Sequence, residues 1–295
     1  MSTVAGAVET RDFVELPTYL SDIVGDADSF FVGSWGARPQ VFRYPAGTRL
    51  LSSADIWEAL DCGSLVTPYF CVLSDGGASV NNVTQTRDVL NRPLAGYADA
   101  EAIRGRFGSG HTIKLTQPED WHPDIKKLVA GLRTELRAEV RSFIFFTPQG
   151  SSGVPAHADE AHVFVLQVEG RADWHVGVAN GEEICGEQSA EIGLKPGDAL
   201  YIPPGRPYHG TTAGTDSLYV AITVQQPTAR DLAGLMLAEF LNGPRATEIA
   251  GTHHRMTVAE KVSWLRDSLA EHLSGQDLGA LVDEAVRIRQ RDGRV

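Results

Sequence analysis

His157 and Asp159 stand two residues apart in the stretch Val154-Pro155-Ala156-His157-Ala158-Asp159. On an extended chain alternate side chains share a face, so an imidazole and a carboxylate project side by side. Those are two of the three ligands of a facial metal triad. The best candidate for the third is His209. It closes the pattern Gly197-x5-Pro203-x-Gly205-x3-His209, a run of turn, strand, Pro-Gly bend and histidine, in which the bend re-aims the chain toward the HxD pair. Two neutral imidazoles and one carboxylate on one side of an ion leave its other side open. This suits non-haem Fe(II), which needs room for a bidentate co-substrate and O2. A zinc hydrolase can use the same donors, but the helical HExxH frame of most such enzymes is absent. An HxD pair by itself is more often structural, and the second half of the pattern is what points to a metal. The other histidines lack such support. His162 and His175 are expected to line a barrel or face solvent, and His111, His122, His253, His254 and His272 to act as caps or solvated side chains.

These side chains need strands to hold them. Ser142 to Thr147 is apolar and aromatic, and Val163 to Val168 is the continuous apolar run of a central buried strand. Trp174 to Val178, Ala199 to Ile202 and Leu218 to Val224 complete the set, punctuated by Glu169-Gly170 and Asn180-Gly181. Many short strands with Gly/Pro turns predict a barrel or sandwich. Before them, Ser53 to Leu60 reads as a short helix, and Pro68 to Leu73 and His111 to Leu115 as strands. Ser74-Asp75-Gly76-Gly77 is a turn signal, and Asn81 to Gly108 reads as loop with short helical pieces. Ile125, Leu128, Val129, Leu132, Leu136 and Val140 predict one helix over 123–140, opened by Pro123. After Pro227 the chain turns helical. One helix is closed by Asn242-Gly243-Pro244, and a second starts at the capping box Thr257 to Glu260 with Val262, Leu265, Leu269 and Leu273 inward. A third runs from about Asp277 to Arg289. The expected division is an arm at 1–27 with a short helix near Leu16 to Ile23, a barrel domain at 28–226 and a helical region at 227–295.

The totals exclude several classes. The chain has 295 residues, 42% hydrophobic and 22% charged, an ordinary globular composition. No apolar segment is long enough for a membrane helix, and Met1 to Asp12 carries no secretory signal pattern. Cys62, Cys71 and Cys185 form no CxxC pair, which points to a reducing cytoplasm. A formal net charge of −12 argues against nucleic acid and anionic lipid as partners, and tolerates a basic protein or peptide.

The block Phe146-Thr147-Pro148-Gln149-Gly150-Ser151-Ser152-Gly153-Val154-Pro155-Ala156-His157-Ala158-Asp159, with Val163 to Gly170 and Trp174 beyond it, resembles the Jumonji-C oxygenases of the ribosomal-oxygenase branch. Phe31 to Arg43, with Trp35 and Pro39, resembles the N-terminal W-x-x-x-P strand of that family, and the likeness spans roughly residues 28–226. It implies a double-stranded β-helix, a cupin-type jelly roll, holding Fe(II) through His157, Asp159 and His209. It implies 2-oxoglutarate as co-substrate and hydroxylation of a protein or peptide side chain. A ribosomal-protein-like substrate and a peptide or secondary metabolite are both compatible with it. The alternative is a metal-binding cupin-like binding or regulatory protein without 2-oxoglutarate turnover. The family places a Lys or Arg two residues before the Trp to grip the far carboxylate of 2-oxoglutarate, where this chain has Ala172. Two usually polar positions are Phe143 and Phe145. Arg171 through a bulge, or Arg206 or Arg141 from elsewhere, can supply the cation, and Thr147 and Tyr219 can supply hydroxyls. The family also carries a helical dimerisation region after the barrel, so the helices of 227–295 imply a homodimer, with a lid as the other use for them.

Overall fold

Val163 to Val168 lies in the middle of the largest sheet, buried on both faces, as its unbroken apolar character predicts. The computed structural model describes residues 18–74, 77–178 and 190–292. In chain order its strands are β1 (Gln40–Arg43), β2 (Phe70–Ser74), β3 (Gly77–Ser79), β4 (Thr84–Val89), β5 (Arg92–Ala98), β6 (Thr112–Thr116) and β7 (Glu139–Thr147), then β8 (Ser152–Ala158), β9 (His162–Glu169), β10 (Ala172–Val176), β11 (Ala190–Leu194), β12 (Asp198–Ile202), β13 (Pro207–Thr212) and β14 (Ser217–Gln225). Helices α1 (Tyr19–Val24), α2 (Ala27–Gly33), α3 (Ser53–Asp61), α4 (Ala100–Gly108) and α5 (Pro123–Leu136) precede or interrupt the first sheet. Helices α6 (Ala229–Asn242), α7 (Pro244–Thr252), α8 (Val258–Ser274) and α9 (Leu278–Asp292) follow the last strand.

Two antiparallel sheets face each other. The larger has the order β1-β12-β9-β14-β7-β6-β2-β3 and the smaller β11-β10-β13-β8. The chain crosses between them repeatedly, which is the double-stranded β-helix. Between the sheets Phe145, Val163, Val165, Leu200, Ile202 and Tyr219 of one meet Ala172, Trp174, Val176, Leu194 and Tyr208 of the other. The opposite face of the larger sheet packs Ile144, Phe164, Leu166, Val220 and Ile222 against the N-terminal helices. The central strands β9 and β14 of that sheet therefore read apolar on both sides.

Several local expectations shift. The short helix expected near Leu16 to Ile23 is α1, but it is no loose arm, since its Leu20, Ile23 and Val24 are buried in the main core. The first 17 residues of the chain lie outside the described ones, as do Asp75-Gly76, Asn180-Gly181 and Cys185. The helix over 123–140 ends at Leu136, because Arg137 takes a left-handed conformation (φ 46°) and releases Val140 into β7. Residues 84–98, expected as loop, form the hairpin β4–β5, turned through Leu90 and Asn91 with φ 51° and 60°. Two consecutive positive φ values are what a type I′ turn requires. Helix α7 was not foreseen, although Pro244 at its first turn is a start signal.

Two glycines fix the barrel. Gly170 turns β9 into β10 with φ +67°, and a Cβ there would run into the carbonyl oxygen of Asp216. Gly210 lies against the Trp174 ring, where a Cβ would come within 3.0 Å of the indole. The Gln167 side chain bonds the Ser217 hydroxyl (2.9 Å) and the Glu169 carbonyl (2.7 Å), tying the ends of β9 and β14 where their register shifts.

Candidate metal centre

β8 has its two potential ligands at alternate positions, as the period of two predicts. His157 Nε2 lies 3.6 Å from Asp159 Oδ2, and His157 Nδ1 bonds the Pro155 carbonyl at 2.9 Å. That second contact fixes the ring with Nδ1 as donor and leaves Nε2 free as a ligand atom. Asp159 raises the His157 pKa above its ordinary value, and His157 in turn lowers that of Asp159. Both open into a cavity of about 140 Å³ between the sheets. Its walls are mostly apolar: Phe143, Phe145, Val154, Val163, Val165, Trp174 and Ala221. A wider groove among α6, α8 and α9, lined by Glu239, Arg245, His272 and Glu284, shares no residue with it.

His209 is not gathered with the pair. No group of three His, Cys, Asp or Glu side chains is placed to hold a metal among the described residues. His209 borders the cavity, yet its ring stacks on His175 with centroids 4.7 Å apart and planes at 15°. The reason is strand alternation. β13 pairs with β10 so that Gly210 faces Trp174 and His209 faces His175. Trp174 and Val176 point into the barrel and are buried, so His175, and with it His209, belongs to the other face. The residue that turns inward is Tyr208. It sits opposite His157 in the register with β8, its ring lies 4.6 Å from the imidazole, and its hydroxyl donates to Asp159 Oδ2. Burial and the Asp159 carboxylate push its pKa far up, so in the metal-free site it is a neutral phenol.

The residues expected to hold a co-substrate divide in the same way. Tyr219 is in the cavity wall, with its ring stacked on Phe145 at 5.0 Å. Thr147 is buried but bonds Thr112 at 3.0 Å, behind the wall. Arg206 donates to the Ala37 carbonyl (2.8 Å) and the Gly177 carbonyl (3.3 Å), which staples loops outside the barrel. Arg171 is exposed on the turn after β9, and Arg141 pairs with Glu139. None of these four side chains is in the cavity lining. The cation that is there is Lys114 of β6. Its ammonium lies 4.8 Å from the Phe143 centroid and 5.5 Å from that of Phe145, the two positions where the sequence departs from a polar pattern. No carboxylate pairs with it among the described residues. The only sequence signal for it was a lysine in an alternating strand, which does not say which sheet face looks into a barrel.

Residues 114–232 match the family model described as the JmjC domain. That segment of the chain is similar to JmjC domains. It starts at Lys114 and includes every residue that lines the cavity. Over 185 residues the chain is 30% identical to the bifunctional lysine-specific demethylase and histidyl-hydroxylase NO66 of Drosophila mojavensis, covering 57% of this chain and 20% of that protein. It is 28% identical to ribosomal oxygenase 2 of Mus musculus over 162 residues, 50% of this chain and 34% of the relative. The chain thus spans between a fifth and about a third of the length of these two relatives. The chain shares its fold with YcfD, a ribosomal oxygenase from Escherichia coli, with TM-score 0.55 and 20% identity over 85% of this chain and 67% of the other. A further structure of YcfD, in complex with cobalt and 2-oxoglutarate, aligns with TM-score 0.53 at 20% identity, over 84% of this chain and 66% of that one.

Proposed function

We propose that the chain is an Fe(II)- and 2-oxoglutarate-dependent oxygenase that hydroxylates a side chain of a protein or peptide. The observation that carries this reading is the cavity of the JmjC barrel, which has a His-Asp pair at one wall and an unpaired ammonium in another. Bound there, the iron and its co-substrate supply the oxidising chemistry needed to hydroxylate an unactivated C–H bond. His157 and Asp159 hold the metal. Lys114 takes the far carboxylate of 2-oxoglutarate in place of the cation missing at Ala172, and the Tyr219 hydroxyl is a further donor in the same wall. Contact with two aromatic faces is worth roughly 0.5–2 kcal/mol to an ammonium, less than the several kcal/mol that desolvating an ion costs. Lys114 is therefore poised to gain from an anion. The apolar wall excludes water and strengthens that attraction.

A ribosomal oxygenase and a histidyl-hydroxylase among the relatives support a protein side chain as substrate. The net charge of −12 supports a basic one. No helix among the described residues is long and apolar enough to cross a membrane, and Cys62 and Cys71 are free thiols, which suits the cytoplasm. A second reading, a metal-binding protein without turnover, is favoured by Ala172 and by the position of His209 outside the pair.

Anaerobic Fe(II) with 2-oxoglutarate should give a visible charge-transfer band, and air should release succinate. Lys114→Met should weaken 2-oxoglutarate binding about tenfold or more and leave metal affinity unchanged. A protein that binds Fe(II) but yields neither band nor succinate is the non-catalytic protein of the second reading. Unchanged 2-oxoglutarate affinity in the Lys114 variant would move the anchor elsewhere.

A further inference from the structure

The third ligand position at the His157–Asp159 pair belongs to a residue that no ligand pattern singles out. We infer that the phenol oxygen of Tyr208, not an imidazole of His209, completes the metal site. The inference rests on the reading of His157 and Asp159 as metal ligands.

Three observations converge. The Tyr208 hydroxyl already touches Asp159 Oδ2, the same oxygen that lies 3.6 Å from His157 Nε2. An ion held by that carboxylate oxygen and that nitrogen would meet the phenol oxygen, which touches the same carboxylate oxygen. Tyr208 is directly opposite His157 across the β8–β13 pair, so backbone register rather than a flexible side chain sets the approach. His209 is held away by its stack on His175.

The register resists a slip that would exchange the two. A one-residue shift of β13 would turn Tyr208 outward and His209 inward, and would bring Thr211 or His209 against Trp174 where Gly210 now lies. A Cβ at that point would sit 3.0 Å from the indole, so the buried ring would have to shift. Gly210 therefore favours the frame in which Tyr208 faces the metal position.

A set of one imidazole, one carboxylate and one phenolate is harder and more anionic than two imidazoles and a carboxylate. It still accepts a divalent ion, and it can also hold Fe(III), which gives the site a coloured probe. On coordination the phenol proton passes to solvent, and the phenolate oxygen forms the bond to the metal.

The test uses the full chain stripped of metal and then titrated with Co(II) and, separately, with Fe(III). The wild type should bind both and should colour with Fe(III) through phenolate-to-iron charge transfer. Tyr208→Phe should lose the colour and bind Fe(III) at least about tenfold more weakly. His209→Ala should keep the colour and bind Co(II) within a few-fold of the wild type. Tyr208→His, which sets an imidazole at the inward position, should bind Co(II) more tightly than the wild type and stay colourless with Fe(III). Asp159→Asn reports on the underlying reading, because it should lose both metals wherever the third ligand comes from. Loss of Co(II) binding in His209→Ala, with colour and affinity intact in Tyr208→Phe, would overturn the assignment while leaving the metal site standing. Equal metal binding by the wild type and Asp159→Asn would overturn both.

Discussion

The Tyr201 hydroxyl accepts from the Gly36 amide at 2.7 Å and shares a hydrogen bond with His162 Nδ1 at 2.8 Å, while the His162 ring lies flat on Trp35 with centroids 3.6 Å apart. The W-x-x-x-P segment therefore clamps the start of β9 and takes no part in the cavity. Burial lowers the His162 pKa from its ordinary 6.5 to about 4. The unfolded chain binds the proton first as pH falls, so the contribution of the neutral ring is complete above pH 6.5 and is lost progressively toward pH 4. After allowance for the ring's partial exposure, about 2 kcal/mol should disappear across that window. Thermal unfolding of the wild type should fall more steeply with acid than that of His162→Phe, and parallel curves would rule the residue out. At this scale the sequence was legible where a period of two sufficed, as at His157 and Asp159. It was illegible after the Pro203-Pro204-Gly205 bend, because counting residues past a bend does not say which of Tyr208 and His209 turns inward. Lys114 escaped for a similar reason: its neighbours Ile113 and Leu115 are buried on the opposite face, and the sequence does not tell which face is the barrel.

Elements with one apolar stripe were readable, and elements polar on both faces were not. Helix α5 buries Ile125, Leu128, Val129, Leu132 and Leu136 as its spacing demands. The β4–β5 hairpin, with Thr84 to Val89 mostly exposed, offers no alternation to read. α8 is the instructive case, since its capping box was legible and its orientation was not. Trp264, Ser268 and His272, four residues apart, turn toward Phe240 of α6, with the Trp264 and His272 rings 6.2 and 5.6 Å from it. Most of the stripe expected inward is outward: Val262 is 62% exposed, Leu265 43% and Leu273 42%, and Leu269 is half-buried. An aromatic anchor has outweighed the aliphatic stripe, because one indole buries more surface than a valine. The stripe left in water fits a second copy of the chain, which is the homodimer we propose. Sedimentation should find a dimer for the wild type and a monomer for Val262→Asp with Leu265→Asp. A wild type that stays monomeric at micromolar concentration would refute it.

Across the whole molecule the two sheets are unequal. The larger is sandwiched between helices and barrel, with β9 and β14 paired on both sides. The smaller ends on β8, which carries His157 and Asp159, has a sheet partner on one side only, and shifts register twice against β13. Pro155, which has no amide hydrogen to give, is tolerable there because the strand is an edge. Two of the three proposed ligands thus ride on an edge strand, whose amides are held from one side only, and such segments open readily. Occupancy of the site should be recorded as time. Loading with Co(II) should slow hydrogen–deuterium exchange at the amides of 152–158 by about tenfold or more, while those of 163–168, shielded from both faces, keep their pace. Equal protection in both strands would mean that the ion acts on global stability. The edge position of β8 makes that strand the clock by which metal occupancy can be read without any turnover.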